Sequence, residues 1–105
     1  MGLDVSVRLR RISTGEIVEL SDFGGRYGFE FVKDYVKARN KVGWFTPTEE
    51  DRENLIFKGI EFLKKDGYTM HDFDDNCGVA GFVKLLGLAD FYAMFGYEIQ
   101  VEADW

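Results

Sequence analysis

A chain of 105 residues, 46% hydrophobic and 16% aromatic with one proline, has length for one core and too many aromatic residues for a disordered tail. Cys77 is the single cysteine, which excludes an intramolecular disulfide framework and a zinc site of several thiolates, and no uncharged run approaches a membrane span. The net charge of −6 is lopsided: residues 1–45 hold eight basic and six acidic side chains, residues 46–105 five basic and thirteen acidic.

Val5, Val7 and Leu9 alternate with Ser6, Arg8 and Arg10, the period of a strand with one buried face. Ser13-Thr14-Gly15-Glu16 supplies turn chemistry before Ile17-Val18-Glu19-Leu20, so an antiparallel hairpin is predicted over about 3–20. The glycine-rich stretch from Ser21 to Gly28 reads as a loop. A first helix is predicted from Phe29 to about Lys41, with Phe29, Val32, Tyr35 and Val36 inward and a stripe of Lys33, Lys37 and Lys41 outward.

Thr46, Pro47 and Glu49 together predict the start of a second helix, with Thr46 as N-cap and Thr48 with Asp51 as the alternative. Leu55, Ile56, Ile60 and Leu63 form its buried stripe, and Gly67 ends it. A third helical region carries Val79, Phe82, Val83 and Leu86. Gly87 bends or breaks it before Leu88, Phe91 and Phe95. Tyr97, Ile99 and Val101 alternate with Glu98 and Gln100 as a final strand. A lone strand needs a sheet, and the hairpin offers one. The expected fold is a single α+β domain over 1–105: a small three-stranded, mainly antiparallel sheet, from the N-terminal hairpin and C-terminal strand, packed against three or four helices.

The densest chemistry lies in His71-Asp72-Phe73-Asp74-Asp75-Asn76-Cys77. Asp72, Asp74 and Asn76 alternate as at the opening of a calcium loop. Cys77 then replaces the sharp-turn glycine, and Val83 stands where a bidentate glutamate closes the shell. A metal-dependent or small-ligand-binding protein centred on the loop from His71 to Asp75, with a looser divalent-cation site on His71, Asp72 and Asp74, is the alternative function, against a solvated, helix-capping loop. A Cys77–His71 nucleophilic pair is disfavoured by the negative surroundings, which oppose a thiolate. Gly24-Gly25-Arg26-Tyr27-Gly28 separates a strand from a helix, as anion-binding loops do, but lacks the P-loop and dinucleotide spacings. Met1 to Ser6 matches a short myristoylation pattern that equally well begins a strand.

No complete catalytic motif is present, so the chain reads as a non-enzyme without cofactor. Arg8, Arg10, Arg11 and the lysine stripe are outweighed by the acidic second half, which opposes direct nucleic-acid binding. The expectation is a cytoplasmic protein-binding module or inhibitor that sets an acidic face on a basic, nucleic-acid-accepting surface of a partner protein. Small phage and mobile-element proteins offer a class-level analogy. The candidate contacts are Glu49, Glu50, Asp51, Glu53, Asp72, Asp74 and Asp75, with Trp44, Phe45 and Trp105 as aromatic anchors.

Overall fold

The computed structural model describes residues 3–24, 28–69 and 78–105. Strand β1 (Asp4–Arg11) forms a hairpin with β2 (Ile17–Gly24). Helices α1 (Glu30–Ala38), α2 (Glu49–Lys65), α3 (Gly78–Gly87) and α4 (Ala89–Met94) follow, and β3 (Tyr97–Asp104) completes the sheet. The strand order is β2-β1-β3, with both pairings antiparallel. This is the α+β arrangement that the sequence predicts.

Alternation decides the two faces of the sheet. Val5, Val7 and Leu9 of β1 lie opposite Ala103, Val101 and Ile99 of β3, and all six are buried. Burying such an apolar face against helices is the main force holding sheet to helices. Phe29, Val32, Tyr35 and Val36, Leu55 and Leu63, and Phe82 and Leu86 supply the helical side of this core. Phe29 and Phe82 meet edge to face, with ring centroids 5.6 Å apart. The other sheet face carries Arg8 and Arg10. Arg8 Nε donates to Gln100 and Arg10 pairs with Glu98 across the β1–β3 ladder. Phe45 forms an isolated bridge to Val101 beyond β3, with backbone hydrogen bonds of 2.9 and 3.0 Å.

Three element boundaries differ from the sequence reading. Strand β2 runs on to Gly24, because Val5 and Ser6 extend β1 far enough to pair with Gly24 and Asp22. Helix α1 stops at Ala38 rather than Lys41. Asn40 takes a left-handed conformation (φ 54°), its N–H reaching Lys37 O while the Lys41 N–H reaches Val36 O. This Schellman-type ending turns Lys41 out of the lysine stripe. Thr48, not Thr46, caps α2: its hydroxyl accepts from the Asp51 N–H, and the Asp51 carboxylate accepts from the Thr48 N–H. Thr46 instead accepts from the Gln100 side chain.

Glycine is required where helices come closest. A Cβ on Gly59 of α2 would lie 2.5 Å from Val83 Cγ2 of α3, and one on Gly28 would lie 2.6 Å from the Phe62 ring. Gly28 also holds φ at +89°, in the left-handed region.

Candidate interaction surface

Among the predicted contact residues, Asp51 is placed in the interior, 4% exposed. Tyr35 Oη donates to its Oδ1, the Thr48 N–H donates to its Oδ2, and Lys41 Nζ lies 3.4 Å away. Burial alone would push this carboxyl up, yet the hydrogen bonds from Tyr35 and Thr48, with the Lys41 charge, hold it below its ordinary value. Asp51 therefore fastens α1 to the start of α2 and leaves the outer acidic surface to its neighbours. That burial corrects its assignment to the contact face.

Glu49, Glu50 and Glu53 are exposed around the first turns of α2. Their charge complements the helix dipole and the unpaired N–H groups there. Four residues beyond Glu53, and on the same side of the helix, Phe57 projects into solvent with 65% exposure. Glu61 follows one turn later, also exposed. An aromatic ring thus stands within the acidic face, and dipole complementarity gives no reason for it. The sequence carries the signal: the buried line Leu55, Gly59 and Leu63 leaves Phe57 on the opposite side.

Arg52 extends this surface towards α4. Its guanidinium pairs with Asp90 at 3.2 Å and reaches Pro47 O at 3.4 Å. Beyond Asp90, Phe91, Met94 and Phe95 are all exposed, with the Phe91 and Phe95 rings 5.1 Å apart. Sequence periodicity marks these residues as apolar without showing that α4 turns them outward.

The three predicted anchors have separate settings. Trp44 is half-buried, with the Arg8 guanidinium carbon 4.3 Å from its ring centroid. Phe45 packs on the core with Lys41 Nζ 5.2 Å from its ring. Trp105 is 44% exposed, with Lys33 Nζ 5.7 Å from its ring.

The candidate metal loop His71, Asp72 and Asp74 lies outside the described residues, as do Asp75, Cys77, Arg26 and the myristoylation glycine. Among the described residues no group of three or more histidine, cysteine or acidic side chains is placed to hold a metal ion. No described helix is long and apolar enough to cross a membrane. Of the basic residues in β1 and the lysine stripe, Arg10 is tied to Glu98, Arg11 to Glu16 and Lys41 to Asp51.

No protein-family model, curated protein or solved structure matches the chain.

Proposed function

We propose that this protein is a non-catalytic protein-binding module or inhibitor, acting in the cytoplasm. The exposed start of α2 docks onto a basic surface of a partner protein, one suited to receiving nucleic acid. The observation that carries this reading is Phe57, 65% exposed and one turn beyond the exposed Glu53. A central aromatic anchor supplies binding energy, while surrounding charges steer encounter and select a partner of opposite sign. Beyond the Arg52–Asp90 ion pair, the outward Phe91 provides an apolar margin next to this face.

The test begins with affinity capture from the native host, using wild-type, Glu50→Lys/Glu53→Lys and Phe57→Ala baits, with mass spectrometry to identify what each retains. Association and dissociation of the captured partner are then measured against ionic strength. Charge reversal is expected to slow association about tenfold and flatten its salt dependence. Phe57→Ala is expected mainly to speed dissociation. Nucleic acid should compete for the same partner surface. An association rate flat in salt and indifferent to charge reversal would end this reading.

A further inference from the structure

Strand β2 is an edge strand: among the described residues it pairs with β1 alone. Its outer side is apolar for an exposed edge, with Ile17, Val18 and Leu20 open to solvent and Leu20 62% exposed. Lysine and proline, two common blockers of edge pairing, are absent from its sequence. The pairing with β1 is irregular on either side of residues 19–22. Between those irregularities, Glu19, Leu20, Ser21 and Asp22 lie in consecutive register with Leu9, Arg8, Val7 and Ser6.

Beside this edge a groove of about 480 Å³ opens between β2 and α3, lined in part by Ser21, Asp22, Phe23, Lys84, Leu85 and Leu88. Glu19 and Ser21 share the helix-facing side with Leu9 and Val7, whereas Leu20 and Asp22 share the outer side with Arg8 and Ser6. A strand added at the edge would therefore direct alternate side chains into the groove. Backbone hydrogen bonds give such pairing its affinity, and side-chain pockets give it sequence preference.

We infer that the β2 edge binds an extended segment of a basic partner, with apolar residues on the helix-facing side in the β2–α3 groove and cationic residues on the outer side towards Asp22. Charge selects this occupant. Strand β2 contributes two carboxylates, Glu19 and Asp22, which form no ion pair among the described residues, against one cation on the groove wall, Lys84. Two copies pairing through β2 would bring together four carboxylates and two chains of net charge −6. This edge is separate from the α2 face, so either reading can fail without the other.

The test titrates ¹⁵N-labelled full chain with a pool of octapeptides alternating lysine or arginine with valine, isoleucine or leucine. Saturable shifts are expected at 17–24, Leu85 and Leu88, with slowed exchange of β2 amides. Glu19→Lys/Asp22→Lys should weaken binding about tenfold, Leu88→Ala should weaken it severalfold, and Glu50→Lys/Glu53→Lys should leave it unchanged. Methylating alternate peptide amides should abolish it. Absence of saturable binding, equal binding of the methylated pool, or shifts confined to α2 would each overturn the inference. So would β2 protection that rises with protein concentration in the absence of peptide, which would identify a second copy as the occupant.

Discussion

Tyr35 on α1 donates its phenolic hydroxyl to Asp51 in the first turn of α2, a hydrogen bond across sixteen residues of sequence and buried in the core. The same carboxylate closes the helix cap and faces Lys41. Removing it strands the phenol, opens the cap and unpairs the lysine together. Asp51→Ala is expected to cost about 2–4 kcal/mol in urea unfolding, and Tyr35→Phe about 1–2 kcal/mol. Since the two share one bond, the double variant should cost less than the sum. A loss under about 0.5 kcal/mol for Asp51→Ala would show that the network contributes little beyond the cap.

The same network imposes a pH dependence at both extremes. Asp51 titrates below its ordinary 3.8 in the folded state, so the unfolded chain binds its proton first as pH falls. Its stabilising contribution is complete above that value and declines as pH drops through the folded pKa. Burial, then the bond to Asp51, pushes Tyr35 up to about 12 from 10.0. The phenol's contribution is complete below pH 10 and disappears as pH rises towards 12. Urea midpoints of wild type should therefore fall more steeply than those of Asp51→Asn below pH 4, and more steeply than those of Tyr35→Phe above pH 10. Parallel curves at either extreme would remove that residue from the linkage.

Gly59 sets a test of packing against propensity. Inside a helix, glycine to alanine ordinarily stabilises by about 0.5–1 kcal/mol. Here the new methyl would lie 2.5 Å from Val83 Cγ2. Gly59→Ala is accordingly expected to destabilise by about 1–3 kcal/mol. Pairing it with Val83→Ala should recover part of the loss by opening space. A stabilised Gly59→Ala would show that α2 and α3 separate at little cost.

Local patterns made most of the fold readable. The apolar alternation of Val5, Val7 and Leu9 specified the inward face of β1, and Ile99 and Val101 marked the strand that joins it. Features decided by distant residues were less accessible. Thr46 and Thr48 each precede an acidic residue by three positions. Tyr35, Lys41 and Gln100 distinguish them through tertiary contacts. Those contacts also withdraw Asp51 from the acidic surface. Phe57 was recoverable from helical spacing alone, whereas the β2–α3 groove depends on how two remote segments pack.

The two threonines separate in a simple comparison. Thr48→Ala removes the acceptor for the Asp51 N–H and should cost about 0.5–2 kcal/mol. Thr46→Ala removes an exposed contact to Gln100 and should cost about 0.5 kcal/mol or less. Denaturant melts of the two variants check the order. A costlier Thr46→Ala would move the functional start of α2 two residues upstream.

The strongest fold-level prediction concerns β3. This strand pairs with β1 from Asp4↔Asp104 to Arg11↔Tyr97, buries Ile99, Val101 and Ala103, and accepts Phe45 on its other side. Ending the chain after Gly96 would remove all of these interactions and expose both edges of the β1–β2 hairpin. A two-stranded hairpin is marginal alone, and an exposed apolar edge favours aggregation. The truncated chain is expected to lose dispersed amide resonances and to aggregate or remain unfolded. Val101→Asp in the full-length chain provides a smaller perturbation, burying an unpaired charge at a fully buried position. It should produce the same loss of dispersion while retaining the strand's length. If both variants remain monomeric with native-like spectra, the helices and hairpin form a self-sufficient core and β3 is accessory to it.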